Sequence, residues 1–166
     1  MATKAITRNT ATGTKSIGFP PSGPLEITQV AKSTKHRNFV MEYLIDFAND
    51  PKLQTVANGG LGQVVTGDIL QLLNVQDVII DGIGMNVIEA CDGTTPLAIL
   101  GDGNDDNGWM TSTTLATAGP TISVGAYLAA GGKLYTTADT IDMTVTVTGT
   151  ITKGKVLVIA YCRDCM

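Results

Sequence analysis

The segment Asp139–Thr148 reads DTIDMTVTVT, and its two-residue period constrains this chain more than any other feature. Ile141, Met143, Val145 and Val147 fall on one side, with Thr140, Asp142, Thr144, Thr146 and Thr148 on the other. A β-strand sends alternate side chains to opposite faces, so this pattern predicts a strand with one buried and one wet face. A helix would scatter the same residues around its circumference. A one-faced strand is not stable alone. It needs a sheet around it and a second layer over its apolar side.

The rest of the chain supplies candidates for both. Phe39, Met41, Tyr43, Ile45 and Phe47 alternate with Val40, Glu42, Leu44 and Asp46 until Asn49-Asp50-Pro51 breaks the run. A short helix within 51–57 is not compelling, and Asn58-Gly59-Gly60 with Gly62 makes a loop. Beyond Gly67, short apolar runs alternate with turn residues. Residues 68–75 (DILQLLNV) end at about Gln76-Asp77, 78–80 end at Asp81-Gly82, and 83–90 lead to Asp92-Gly93. Residues 96–100 run into the Gly/Asp-rich 101–108, 122–128 end at Gly131-Gly132, and 133–137 follow. Residues 155–162 (KVLVIAYC) are nearly all apolar and predict a buried strand. Many short strands at close spacing, with almost no helical periodicity, predict an all-β sandwich or barrel over 38–166.

Residues 1–37 differ in kind. Thr3, Thr7, Thr10, Thr12 and Thr14 lie among Gly13, Gly18 and Gly23, and Pro20-Pro21 with Pro24 disfavour helix and central strand. Up to Arg37 the charged residues are Lys4, Arg8, Lys15, Lys32, Lys35 and Arg37 against Glu26 alone, a net of +5. The remaining 5 basic and 14 acidic residues give the body −9. A basic, Pro/Gly-rich segment that buries little predicts an extended arm docking on neighbouring subunits. Its cations are spread out with no interleaved aromatics, so it does not predict direct nucleic-acid binding. Charged residues make up only 16% of the chain, against roughly 25% for an ordinary soluble domain. Such a surface suits an assembly better than a free monomer. The start, Met1-Ala2-Thr3-Lys4, opens no apolar signal segment, and no apolar run reaches membrane-spanning length. Three cysteines, an odd number, argue against a disulfide framework, which predicts synthesis in a reducing cytoplasm.

Little of this predicts catalysis. His36 is the only histidine, and it lies in the arm. Asp102, Asn104 and Asp106 place oxygen ligands at alternate positions, as a hard cation requires. Counted from Asp102, however, the sixth position is Asn107 and the twelfth Thr113, where a calcium loop needs Gly and Glu. The preferred reading of 101–108 is a strand-connecting turn built on Asx geometry. Gly59-Gly60-Leu61-Gly62 lacks the Lys-Ser/Thr of a phosphate loop. Cys162-Arg163-Asp164-Cys165 is a lone C-x-x-C with no second pair to complete a zinc site. Trp109 fits a plug over one end of a sandwich, with a loop-tip contact to a glycan or receptor as the alternative. No cofactor is expected, and the chain does not read as an enzyme.

Several of these motifs recur together in one order: Gly67-Asp68-Ile69-Leu70-Gln71-Leu72-Leu73, Gly101-Asp102-Gly103 with Gly108-Trp109, Gly131-Gly132-Lys133-Leu134-Tyr135, Ala138-Asp139-Thr140-Ile141-Asp142, and Gly154-Lys155-Val156-Leu157-Val158. In this the chain resembles small virion structural proteins of tailed bacteriophages, marine and cyanobacterial ones especially, and is similar to capsid decoration (cement) proteins. The resemblance spans about residues 64–162 and leaves the arm unmatched. It implies a jelly-roll-like antiparallel β-sandwich, a homotrimer on the outer capsid surface, and linkage of major capsid protein subunits. No membrane partner is expected, since no apolar run reaches spanning length. A tail, neck or fibre protein, or a receptor- or carbohydrate-binding module, is the alternative. The arm residues expected to contact the capsid are Ile6, Ile17, Phe19 and Leu25 as apolar anchors and Lys4, Arg8 and Lys15 as cations.

Overall fold

The computed structural model describes residues 6–10, 13–17, 23–29, 38–49, 63–121 and 123–165, the first three stretches by their backbone alone. Twelve strands and one helical turn follow in order. They are β1 (Ile6–Thr10), β2 (Gly13–Ile17), β3 (Gly23–Gln29), β4 (Asn38–Asp46), β5 (Ile69–Val75), β6 (Val78–Glu89) and β7 (Thr94–Asp102). After these come β8 (Asp105–Thr114), β9 (Gly119–Thr121), α1 (Ala126–Ala129), β10 (Lys133–Tyr135), β11 (Asp139–Thr148) and β12 (Lys155–Asp164).

The body is an antiparallel β-sandwich, as the strand pattern predicts. One sheet runs β10-β6-β12-β4-β3, with β9 also on β6, and the other runs β5-β11-β7-β8. Chain order therefore switches sheets at nearly every connection from β4 onward. Two of the expected strands, β11 and β12, sit at the centres of the two layers. β11 lies between β5 and β7 and buries Ile141, Met143, Val145 and Val147, the four residues its period selects. β12 lies between β4 and β6 and buries Val156, Val158, Ala160 and Cys162. Facing apolar rows on central strands form the middle of the core, each large side chain contributing roughly 1.5–3 kcal/mol on burial.

Three expectations need correction. Residues 78–90 were expected as two strands parted at Asp81-Gly82, but β6 runs unbroken. Gly82 stands opposite Tyr161 and Ile80 opposite Cys162, so Asp81 is an extra residue absorbed as a bulge. Residues 122–128 were expected as a strand, yet 126–129 form one helical turn. A Cβ on Gly125 would lie 2.3 Å from the Gly108 carbonyl oxygen, so this glycine lets the segment close onto the start of β8. Finally, β12 is buried on one face alone. Leu157 and Ile159 are half-buried and Tyr161 is 54% exposed, because no third layer covers the outside of its sheet among the described residues.

The stretch 1–37 is not uniform. β1 and β2 form a separate two-stranded sheet, whereas β3 pairs with β4 at the edge of the sandwich. Pro24 falls in that terminal strand, where a missing N–H is tolerated. Residues 23–29 thus extend the body sheet across the expected boundary at residue 37.

Candidate functional site

The chemically richest place among the described residues is one end of the sandwich, where β7 turns into β8. Asp102 and Asp105 pair across a two-residue turn, Gly103-Asn104. Alternation along β7 sends Pro96, Ala98, Leu100 and Asp102 inward, so a carboxylate is delivered to the edge of the core. On β10 the same two-residue spacing puts Lys133 and Tyr135 together, and α1 adds Tyr127.

These groups converge on Asp102, which is 1% exposed. Its Oδ2 accepts from Lys133 Nζ at 2.5 Å and the Tyr135 hydroxyl at 2.7 Å. Its Oδ1 accepts from the Tyr127 hydroxyl at 3.2 Å and from the amides of Asn104 and Asp105 at 2.9 and 3.1 Å. Lys133 also donates to the Tyr127 hydroxyl at 2.9 Å, its ammonium 4.1 Å from that ring's centroid. Trp109, fully buried, donates its indole N–H to the Tyr135 hydroxyl at 2.9 Å and meets Tyr127 edge-on at 5.4 Å. Burial opposes the charge on Asp102, but the donors from Lys133, Tyr135 and the turn outweigh it and hold the carboxyl below its ordinary value. Burial likewise opposes the Lys133 ammonium, and Asp102 and Tyr127 outweigh it and raise that group. Burial and then Asp102 push the Tyr135 hydroxyl far above its usual value, so it donates as a neutral phenol. The network is a satisfied polar lock joining β7, β8, α1 and β10. Its carboxylate has no free lone pair facing solvent with which to do chemistry.

The residues singled out from sequence fare differently. Asp102 belongs to this lock, while Asn104 is exposed at the turn and Asp106 exposed on β8, so the three candidate cation ligands do not share a site. No group of three or more His, Cys, Asp or Glu able to hold a metal occurs among the described residues. Asp102 makes the expected Asx turn, but the turn is shorter than the 101–108 expected: 101–102 belong to β7 and 105–108 to β8, which leaves Gly103-Asn104 between them. Trp109 cannot be a loop-tip contact, because its ring is fully buried and its N–H is engaged inside the core. Of the arm residues, Ile6 and Arg8 lie on β1, Lys15 and Ile17 on β2, and Leu25 on β3 opposite Glu42. Lys4, Phe19 and His36, the glycine loop at 59–62 and the possible helix at 51–57 lie outside the described residues. The cysteines are free. Cys91 and Cys162 are buried, and desolvation followed by nearby carboxylates pushes each thiol up to about 12.

Sequence reasoning missed Lys133, Tyr127 and Tyr135. The one available signal was the K-x-Y spacing, which puts a cation and a phenol on one strand face. No helix among the described residues is long and apolar enough to cross a membrane. Comparison with known proteins found no matching family model, no matching curated protein and no matching solved structure.

Proposed function

We propose that this chain is a non-enzymatic virion structural protein of a tailed bacteriophage, a capsid decoration protein that binds the outer shell and links major capsid subunits. The observation that carries the reading is the separation of a finished body from a small separate sheet. The sandwich closes one end with its own polar lock, whereas β1 and β2 pair with each other and leave the body sheets. A sandwich body with a basic N-terminal hairpin outside its sheets suits a cross-subunit staple, and repetition by symmetry turns weak contacts into avidity. The strand orders β10-β6-β12-β4 and β5-β11-β7-β8 interleave as the eight strands of a jelly roll do, which supports that finer description, while the trimer rests on the motif resemblance alone. The virion location rests on the motif resemblance over 64–162.

The test is rebinding to shells stripped of this chain. The full chain is expected to restore near-complete occupancy, and a version lacking residues 2–24 to lose most of it. Undiminished occupancy by the truncated chain rejects the arm's role. Copy number separates the shell from the tail, neck or fibre alternative, since hundreds of copies per particle fit a shell and a handful fit a tail.

A further inference from the structure

The outer face of the six-stranded sheet carries a pattern that the core does not explain. Alternation along β12 turns Lys155, Leu157, Ile159, Tyr161 and Arg163 outward. Residues directly opposite in an antiparallel pair share a face, so β6 sets Glu89 beside Lys155 and Gly84 beside Ile159. Asp81, the bulged residue of β6, accepts from two guanidinium nitrogens of Arg163. The β12–β6 ladder thus joins opposites: cation with carboxylate at either end, and a large side chain with bare backbone in the middle. A Cβ on Gly84 would meet nothing within 4 Å, so a hollow stands open beside Ile159. Val40 and Leu44 on β4 continue the apolar surface beside Tyr161 and Leu157, and Tyr161 is 54% exposed. An apolar centre between charged ends is the anatomy of a protein–protein contact.

We infer that this face packs on the same face of a second copy of the chain, about a two-fold axis that runs along the β12–β6 ladder. Rotation about an axis midway between two strands and parallel to them lays each strand over the other strand of the copy, at the same height. Lys155 then faces Glu89 of the second copy, Arg163 faces its Asp81, and Ile159 enters the hollow at its Gly84. Every contact occurs twice, as an isologous interface requires. The pairing of opposites along the ladder makes the face complementary to itself, which selects a copy over an unrelated partner. Glu42 lies on the far side of β12 from the axis and does not meet its own equivalent. The area agrees as well. Three strands of about nine residues, with β9 and β10 beside them, present roughly 500 Å2 at about 4.8 Å between strands and about 3.3 Å per residue. Two such faces exclude about 1,000 Å2, the size at which specific contacts begin. This contact stands apart from the decoration reading and from the trimer within it, whose three-fold axis needs other surfaces.

Sedimentation equilibrium of the full chain tests it. Wild type is expected in even multiples of one chain. Gly84→Gln fills the hollow without crowding its own sheet, since the site is open, and is expected to weaken association by at least about tenfold. Arg163→Glu and Asp81→Lys alter side chains that are each more than a third exposed, and either alone is expected to weaken association about as much. Mixed one to one, these two variants should pair as tightly as wild type. Opposite charges then face each other between the copies, while the in-chain pair stays broken in both. Trp109 fluorescence confirms that each variant is folded. A wild-type chain that stays single up to about 1 mM overturns the inference, and so does a strictly three-chain assembly. So does unchanged association of Gly84→Gln, or a mixture no tighter than its two components. Uptake by stripped shells tests the decoration reading alone and alters none of these outcomes.

Discussion

Replacing Asp102 with Asn tests the sealed end of the sandwich directly. The substitution keeps shape and preserves an acceptor for the Tyr127 hydroxyl and the amides of Asn104 and Asp105. In place of Oδ2 it puts an NH2, which faces two donors, Lys133 Nζ and the Tyr135 hydroxyl. Removing one partner of a buried ion pair costs roughly 3–5 kcal/mol. The Lys133 side chain keeps 22% of its exposure and can rehydrate, which places the cost near the lower end, about 3 kcal/mol. At roughly 2–4 °C per kcal/mol for a chain of this size, Tm falls by about 6–12 °C. Thermal and urea unfolding followed by Trp109 fluorescence reads it out, since that indole sits in the lock. Lys133→Met should cost a similar amount, and the double variant less than the sum of the two, because it leaves no unpaired charge. The pH dependence has a definite sign. Asp102 is held below its ordinary value, so its contribution is complete above the unfolded carboxylate value of about 3.9 and is lost as pH falls through the folded one. The deficit of Asp102→Asn should therefore be full at neutral pH and shrink under acid. A loss below about 1 kcal/mol, or strict additivity with Lys133→Met, refutes the account of the lock.

Asp142 has the opposite sign. Burial, then Asp139, Asp102 and Asp106, raise its carboxyl, and its Oδ1 has no hydrogen-bond partner. Asp142→Asn should raise Tm at neutral pH by roughly 1–3 °C, the gain staying small because solvent screens the site. That gain should vanish once the pH falls below the unfolded value; a fall in Tm at pH 7 contradicts it. Among the thiols, Cys165 is exposed, while Cys91 and Cys162 are buried with values pushed up to about 12. Iodoacetamide at pH 8 should modify Cys165 alone in the native protein and the other two after denaturation, as peptide mass mapping would record. Gly125→Ala should cost at least about 1–3 kcal/mol in urea unfolding, since the new Cβ would fall 2.3 Å from the Gly108 carbonyl oxygen, which is backbone. Wild-type stability in that variant would mean that α1 does not sit against the start of β8.

What the sequence makes legible follows the range of the forces involved. β11 is readable residue by residue because a two-residue period is a local property, and the structure buries the very four residues that the period selects. Asp81-Gly82 is ambiguous because the same dipeptide serves a turn or a bulge, and the choice rests with Tyr161 and Cys162 on a strand distant in sequence. The lock is harder still. Asp102 reads as a turn residue, and it is one, but its counter-ion lies 31 positions away on β10, beyond any local pattern. Trp109 as a plug is legible from its place after a turn, while the phenol that receives its N–H is 26 positions on. The hairpin of β1 and β2 hides for a different reason. Thr, Asn and Gly give its strands no apolar face, so no period marks them.

That last contrast bears on where function lies. In the body, inward rows fill a core and the buried Asp102 carboxylate has its donors. In the hairpin the register sets Arg8 opposite Lys15, and like charges directly opposite one another destabilise a strand pair. A sequence selected for the stability of that hairpin alone would place an acid opposite one of the cations, as cross-strand pairs favour. The unfavourable pairing makes sense when the compensating carboxylates belong to something else. By this reasoning Arg8→Glu should steady the hairpin in the free chain, seen as slower amide exchange over 6–17, while weakening its hold on an acidic partner. The two effects must run in opposite directions. If Arg8→Glu instead speeds exchange and leaves binding intact, the Arg8–Lys15 pairing does not serve the arm's docking.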